Sequence, residues 1–190
     1  MRAESDVVLI ALGSNIEPEL NLPRASARLA GCMTILAASR VYESAPVGAP
    51  GTPPFLNAVL RVETRRGPRT LKFEILRAIE AELGRRREPD RNAPRTIDLD
   101  LVLYGDRVET ALDLTLPDPD LARFPHLAVP AADVAPETRH PATGRTLAAI
   151  AAALDSTLVV RPDVLLVTPR PARADDLIAR ADARRTGSSS

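Results

Sequence analysis

Hydrophobic and polar positions along this chain fall into segments with the lengths and periods of strands and helices. Residues 7–12 form a continuous apolar run that is followed by Gly13, Ser14 and Asn15, which predicts a buried strand ending in a turn. Residues 19–30 carry apolar side chains at helical spacing. The chain is therefore predicted to open with a strand followed by a helix.

The next segments extend this order. Residues 34–44 are rich in β-forming side chains, and residues 55–63 alternate cleanly between apolar and polar. Residues 45–54 between them contain four prolines and two glycines, which predicts a shaped loop. Residues 69–84 carry one apolar face and end in glycine, the pattern of a helix, and residues 96–105 form a further strand. The order is β-α-β-β-α-β, which predicts an α+β, ferredoxin-like sandwich with an antiparallel sheet and its helices on one face.

The remainder is interpreted as a C-terminal extension. Residues 116–136 are dense in proline and predict short helices and turns packed over the sheet, while residues 145–154 favour a helix. Residues 156–167 contain apolar runs that could add edge strands. We expect one domain over residues 1–168 and a flexible tail over residues 169–190.

Composition excludes several classes of protein. The 190 residues are 45% hydrophobic, with 25 basic and 25 acidic side chains, so the formal net charge is zero. A core of ordinary size can form, and the broad positive field used for binding nucleic acid or an anionic membrane is absent. Any attraction for anions must be local, and we expect neither a nucleic-acid nor a membrane partner.

Few residues of the chain are typical ligands of zinc. Cys32 is the only cysteine, which excludes an intramolecular disulfide, and His126 and His140 are the only histidines. The sequence shows neither a signal-peptide pattern nor 18 uninterrupted apolar residues. We therefore expect a cytoplasmic protein, and we expect it to be a monomer.

The densest group of charged residues lies between the second helix and the last strand of the β-α-β-β-α-β order. Two aspartates two positions apart on a strand point to the same side, where they can hold a divalent cation. Oxygen ligands without nearby histidine or cysteine favour magnesium, and arginines beside them can neutralise a polyphosphate. These residues are Arg85, Arg87, Arg91, Arg95, Asp98 and Asp100.

Each element of this pattern also has a simpler interpretation. An Asp-x-Asp pair at a strand end can be solvated or salt-bridged, and arginines in loops commonly face solvent. The adjacency of a positive block and an acidic pair favours phosphoryl-type transfer. Because the chain contains no GxxxxGK[ST] or GxGxxG motif, side chains must do most of the phosphate binding.

Five blocks in order then resemble a known family. They are ALGSN at 11–15, YESAPVG at 42–48, FLNAV at 55–59, IEAELGRRR at 79–87 and APRTIDLDLVLYG at 93–105. They resemble the successive signatures of the 6-hydroxymethyl-7,8-dihydropterin pyrophosphokinases of folate biosynthesis. This resemblance runs in register from about residue 7 to Pro136.

The resemblance implies transfer of the pyrophosphoryl group of ATP to the hydroxymethyl oxygen of the pterin, with release of AMP and participation of two magnesium ions. It implies that Asp98 and Asp100 bind the metal and that Arg85 and Arg95 act on the transferred group. It further implies ATP contacts from Glu80, Arg87, Arg91, Leu101, Thr115 and Arg123.

A pterin is a flat heterocycle that needs an aromatic face for stacking and polar groups along its edge. Phe55 and Asn57 are two apart and share one face of a predicted strand, although core packing is the simpler interpretation of Phe55 alone. The resemblance implies that both bind the pterin, together with a loop and a second planar ring. These further residues are Ser44, Ala45, Val47, Gly48 and His126.

Several positions depart from the family pattern. Asp118 stands where a histidine is usual, and we expect its carboxylate to face away from the nucleotide, leaving Arg123 to contact it. His126 stands where a second stacking phenylalanine is common. Arg77 stands where a glutamine-like neighbour of the adenine is common, and Asn92 stands where some relatives carry an aromatic residue. His140 is interpreted as a surface residue.

Two other hypotheses remain open. A paralogue that binds pterin or nucleotide without turnover is compatible with Asp118 and Arg77. An RNA-binding module of the same topology is less favoured, because aromatic residues are only 3% of the chain and form no RNP-like run.

Overall fold

The computed structural model describes residues 7–46, 51–86 and 93–167. Five residues named from the sequence, and the predicted tail, lie outside these ranges. They are Val47, Gly48, Arg87, Arg91, Asn92 and residues 169–190.

Eight strands and five α-helices occur in the described ranges. The strands are β1 Val8–Ser14, β2 Thr34–Ala38, β3 Tyr42–Ser44, β4 Phe55–Glu63, β5 Asp98–Tyr104, β6 Glu109–Thr110, β7 Thr115–Leu116 and β8 Val159–Val160. The helices are α1 Pro18–Cys32, α2 Pro68–Thr70, α3 Arg77–Glu82, α4 Pro125–Val134 and α5 Leu147–Ala152. A π-helical segment, Leu71–Leu76, joins α2 to α3, and Pro119–Ala122 is a 3-10 helix.

Six of these strands form one sheet, in the order β5-β1-β4-β3-β8, with β2 also pairing with β4. Every pairing is antiparallel. The register places Gly13 of β1 opposite Asn57 of β4 and opposite Asp98 of β5. Because β1 lies between β4 and β5, it brings residues from distant parts of the sequence side by side.

Apolar side chains cover both faces of this sheet, because successive residues of a strand point to opposite sides. On one face, Leu22 and Leu29 of α1 and Ile79 of α3 pack with Ile10 and Leu60. On the other face, side chains of α4 and α5 pack against the sheet, among them Leu127, Ala131, Leu147 and Ile150. The expectation of helices on one face is therefore wrong, because α4 and α5 supply a second apolar layer.

Residues 34–44 form two strands instead of one. A register shift between Ile35 and Ala37 interrupts the pairing of β2 with β4. Ser39 lies between the two strands, where its backbone N–H donates to Val59 O at 2.9 Å and its Oγ accepts from Val59 N at 2.9 Å. The serine hydroxyl thereby replaces a ladder partner at the break.

The interpretation of His140 as a surface residue is wrong, since only 3% of it is exposed. Its backbone N–H donates to Arg145 O at 2.8 Å, and its ring Nδ1 accepts from Ala142 N at 3.3 Å. Burial lowers the pKa of this imidazole. A tight turn, rather than the hydropathy of the segment, determines where this side chain lies.

Over the three described ranges, every helix is too short or too polar to cross a bilayer.

Candidate functional site

A cavity of about 360 Å³ opens on the face of the sheet that carries α4. Ala11 and Gly13 of β1 form part of its floor, and small residues at these two positions leave room above the strand. Its walls come from β3, β4, β5 and the segment leading into α4. Predicted site residues that line it are Ser44, Ala45, Phe55, Asn57, Arg95, Asp98, Asp100 and His126.

A charged half of the cavity centres on Asp98. Both oxygens of this carboxylate are bound by guanidinium groups: Arg85 Nη1 lies 2.8 Å from Oδ1, and Arg95 Nη1 lies 2.5 Å from Oδ2. Arg85 and Arg95 are only 12% and 16% exposed. Arginine-carboxylate hydrogen bonds of this length are strong and directional. The two predicted catalytic arginines therefore converge on one aspartate.

Backbone geometry at the end of α3 places Arg85. Gly84 has a φ of 79°, a conformation that favours glycine, and it reverses the chain. Arg85 N then donates to Glu80 O at 2.9 Å, while Arg85 Nη1 donates to Ile97 O at 2.7 Å. The helix end and the approach to β5 are thus joined through one side chain.

Arg95 is held by the end of β1. Its backbone N–H donates to Asn15 Oδ1 at 2.7 Å, and its carbonyl accepts from Asn15 N and Ile16 N, both at 3.2 Å. The Ser14 hydroxyl donates to Thr96 O at 2.6 Å. Residues at the end of the ALGSN block therefore fix the backbone at Arg95 by hydrogen bonds.

Asp100 lies on the same side of β5 and has a different environment. Within the three described ranges, no hydrogen-bond donor reaches its carboxylate. Burial raises the pKa of Asp100, and the negative charges of Asp98 and Asp118 raise it further. Of the two acids, Asp98 is the one that Arg85 and Arg95 contact.

The prediction that Asp118 faces away is wrong, because Asp118 lines the cavity. Its Oδ1 accepts from Asp120 N at 2.8 Å, which caps the 3-10 helix, and its own N–H donates to Val102 O at 2.8 Å. Burial raises the pKa of Asp118, and the charge of Asp120 adds to this effect. The cap and the ladder bond fix the residue beside Asp100.

An aromatic half of the cavity is built on β3 and β4. Asn57 Nδ2 donates to Ser44 Oγ at 2.9 Å, and Phe55 lies two residues before it on the same strand. The guanidinium carbon of Arg95 lies 5.7 Å from the centre of the Phe55 ring, which joins the aromatic half to the charged half. The amide, the hydroxyl and the ring are therefore held by the sheet itself.

The start of α4 supplies two further rings. Phe124 and His126 stack with their centres 5.4 Å apart and their planes at 27°. Both line the cavity, and burial lowers the pKa of His126, which favours its neutral form. Phe124 was missed in the sequence, although its position next to Arg123, whose guanidinium lies 5.3 Å from its ring centre, marks it as a ring beside a cation.

Four predicted ATP contacts are placed elsewhere. Glu80 is 2% exposed, and its Oε1 accepts from Leu99 N at 2.9 Å. Leu101 lies in the core, and Thr115 is exposed on β7, with its hydroxyl 3.4 Å from Ala111 O. Arg123 is exposed and lies 3.5 Å from Asp120. None of the four is among the residues that line the cavity.

Gly13, Asp120 and Phe124 are cavity residues that were not predicted. A Cβ at Gly13 would lie 3.5 Å from Asn57 Oδ1 and 3.9 Å from Asp98 Cβ. The glycine thus lies between the two halves, a relation that appears only once the sheet register is known.

Comparison with known proteins gives a consistent result. A family model described as 7,8-dihydro-6-hydroxymethylpterin-pyrophosphokinase (HPPK) matches residues 9–136. The 2-amino-4-hydroxy-6-hydroxymethyldihydropteridine pyrophosphokinase of Synechocystis sp. is 36% identical, with coverage of 80% of this chain and 77% of the relative. The Bacillus subtilis protein of the same name is 36% identical, with coverage of 73% and 84%.

Longer proteins match over one part only. The chain is 35% identical to the folic acid synthesis protein fol1 of Pneumocystis carinii but spans only 20% of its length. A crystal structure of Plasmodium falciparum HPPK-DHPS has a TM-score of 0.58 at 12% identity, covering 78% of this chain and 44% of that one. That likeness supports the fold. Together, the family match and the two bacterial relatives show that this chain belongs to the 7,8-dihydro-6-hydroxymethylpterin-pyrophosphokinase family.

Proposed function

We propose that this chain transfers the pyrophosphoryl group of ATP to the hydroxymethyl oxygen of 6-hydroxymethyl-7,8-dihydropterin, with release of AMP. The family and the names of its bacterial relatives support pyrophosphoryl transfer in folate synthesis. The observation that carries the proposal is the junction of the two halves of the cavity. There Arg95 contacts Asp98 and also lies over Phe55.

The aromatic half binds the pterin. Phe55 offers a flat face for stacking, and Asn57 offers an amide that can read the edge of the heterocycle. The neutral rings of Phe124 and His126 can close the opposite side of the cavity. Ser44 and Ala45 line the cavity at the end of β3, next to Asn57. The remaining predicted contacts, Val47 and Gly48, follow in the sequence.

The charged half binds the phosphates. Arg85 and Arg95 each offer a planar fork of donors that matches phosphate oxygens as well as the carboxylate they now contact. A bound polyphosphate competes with Asp98 for these guanidiniums. They then stabilise negative charge that builds up on the transferred group and on the departing AMP.

Asp98 and Asp100 fit a magnesium site. They supply oxygen ligands from one side of β5, and Asp100 has no donor in contact over the described part of the chain. No group of three or more potential ligands was found in those residues. This count suits magnesium, which takes one or two carboxylates and completes its shell with water and phosphate. Two bound ions would polarise the phosphoryl oxygens and support both the entering and the leaving oxygen.

We further propose a fold type, a domain boundary, an oligomeric state and a cellular compartment for this protein. The unit formed by β5, β1, β4 and β3 with α1 and α3 is ferredoxin-like, and α4, α5 and β8 are additions to it. Residues 1–168 act as one pyrophosphokinase domain, and the protein works as a monomer in the cytoplasm. A single chain supplies both halves of the cavity, and its one cysteine, Cys32, is free, which suits a reducing compartment.

The test is a product assay on the purified chain with ATP, magnesium and 6-hydroxymethyl-7,8-dihydropterin. We expect equal amounts of AMP and pterin diphosphate. ADP in place of AMP would contradict pyrophosphoryl transfer. Binding of both substrates without a nucleotide product would favour the non-catalytic paralogue, and retention of single-stranded RNA under the same conditions would favour the RNA-binding module.

A further inference from the structure

The segment after α5 lies beyond residues 9–136 of the family match, yet it completes the sheet. β8 pairs with β3, with Val160 opposite Tyr42 and Val159 opposite Glu43. Arg161 N donates to Val41 O at 2.9 Å, which continues the ladder. Val164 is buried in the core, so the segment is anchored on both sides of Arg161.

The side chain of Arg161 forms ion pairs with three carboxylates. Its guanidinium lies 2.9 Å from Glu43 on β3, 3.1 Å from Glu19 on α1 and 2.8 Å from the nearby Asp163. The side chain is 24% exposed, less than most of the other arginines that form ion pairs within the described ranges. Hydrogen bonds from Arg161 lower the pKa of Asp163. One cation therefore ties the segment to a strand and to a helix.

That strand, β3, has only three residues, and each is held by a different part of the protein. The Tyr42 hydroxyl donates to Asp133 of α4 at 2.8 Å, and burial together with this bond raises the pKa of Tyr42 to about 12. Glu43 binds Arg161, and Ser44 accepts from Asn57. Ser44 lines the cavity, so any shift of β3 moves a wall of the aromatic half.

We infer that Arg161 is a positioning residue for the pterin substrate, acting through Glu43 on Ser44 and the adjoining cavity wall. This inference rests on the proposed function, because it identifies the aromatic half as the pterin site. Arg161 itself is not a residue of the cavity lining. It should therefore affect where the pterin sits and leave the charged half, on the far side of β1, unchanged.

The test compares Arg161→Ala with Arg28→Ala, which removes an ion pair between Arg28 and Glu82 whose side chains are 56% and 50% exposed. For Arg161→Ala, we expect the KM for the pterin to rise about fivefold, with the KM for ATP and kcat unchanged, because misplaced contacts weaken one substrate selectively. Arg161→Lys should recover part of the loss, and Arg28→Ala should match the wild type. All values are measured well below the melting temperature of each variant.

Glu43→Gln provides the second arm. If Arg161 acts through Glu43, the double variant should show a pterin KM close to that of Arg161→Ala alone, since the two changes remove the same contact. An equal rise in both KM values, or a lower melting temperature with an unchanged pterin KM, would overturn the inference and show a purely structural role.

The inference and the proposed function fail in distinguishable ways. A wild-type chain that makes no AMP contradicts the proposed function, and the pterin dissociation constant measured by fluorescence titration then tests Arg161 alone. Weaker binding to Arg161→Ala than to the wild type would support the inference. Equal binding, or no binding to the wild type, would overturn it.

Discussion

The two halves of the cavity differ in how much must change when a ligand binds. In the aromatic half, Asn57 and Ser44 bond to each other across neighbouring strands, so the site is preorganised by the sheet. In the charged half, Arg85 and Arg95 are already occupied by Asp98, so under the proposed function phosphate and metal must exchange partners with an existing network. The preorganised aromatic half is suited to selecting the acceptor. The charged half, whose arginines change partners, is suited to receiving the nucleotide.

Removal of the central carboxylate should produce the largest effect. Asp98→Asn is expected to reduce kcat by about 10²- to 10³-fold, since it removes the proposed metal ligand and the anchor of both arginines. The same variant should bind metal-free ATP more tightly than the wild type, because Arg85 and Arg95 lose their internal competitor. Steady-state AMP formation and calorimetry measure the two effects.

A matched control is Asp106→Asn, which changes an exposed aspartate at the end of β5. It should leave both quantities unchanged. Weaker metal-free ATP binding by Asp98→Asn would contradict partner exchange in the charged half.

Loss of the aromatic face comes next. Phe55→Ala should raise the KM for the pterin about tenfold, because a stacked ring contributes more than its buried area alone. The KM for ATP should change far less, since the ring approaches the charged half at Arg95, whose guanidinium carbon lies 5.7 Å from the ring centre. Comparable losses for both substrates would show that the halves are not separable.

Replacing either aspartate of β5 should change the stability of the folded protein, in opposite directions. The pKa of Asp100 is raised, so the folded protein holds this proton more tightly than the unfolded chain, and stability is lost as the pH rises from the ordinary pKa of an aspartate to the raised one. Asp100→Asn should therefore raise the melting temperature of the metal-free protein by about 2–4 °C at high pH. Asp98→Asn should lower it by removing two ion pairs.

The Asp100→Asn gain should be complete above the raised pKa, shrink as the pH falls below it, and vanish near the ordinary pKa of an aspartate, where the wild-type side chain is protonated in the folded and the unfolded chain alike. Thermal melts of wild type and variant across this range measure the difference. A gain that is independent of pH would contradict the assigned protonation.

The smallest effect is expected at the second wall of the aromatic half. His126→Ala should raise the KM for the pterin about threefold, since Phe124 remains as a partly redundant ring. The KM for ATP should hardly change. Equal effects on both substrates, measured by varying each in turn, would remove His126 from the pterin site.

Local patterns predicted much of the fold. The pattern of residues 55–63 located β4 at the bounds observed, although alternation is typical of a half-buried strand and the unbroken burial of residues 56–60 shows that both faces of β4 are covered. The same period of two placed Phe55 and Asn57 on one side. The π-helical segment inside the second helix and the break between β2 and β3 depend on packing, which hydropathy does not report.

The features that the sequence did not predict depend on contacts between distant segments of the chain. Gly13 was expected in a turn, yet it belongs to β1, with Asn57 and Asp98 in register on either side, a relation among three separate segments. Asp118 was expected to face away because a carboxylate repels phosphate, whereas the local Asp-Pro-Asp sequence is typical of a helix cap, and this cap holds the residue at the cavity. The ion pairs of Arg161 with Glu19 and Glu43 also join distant parts of the chain.

The central claim is that the two halves of the cavity together carry out pyrophosphoryl transfer rather than simple phosphoryl transfer. Its most direct test is turnover of ATP labelled with ³²P at the β-phosphorus, in the presence of magnesium and 6-hydroxymethyl-7,8-dihydropterin. The account predicts that the label moves to the pterin product and that the AMP formed is unlabelled. Label retained in ADP would contradict it.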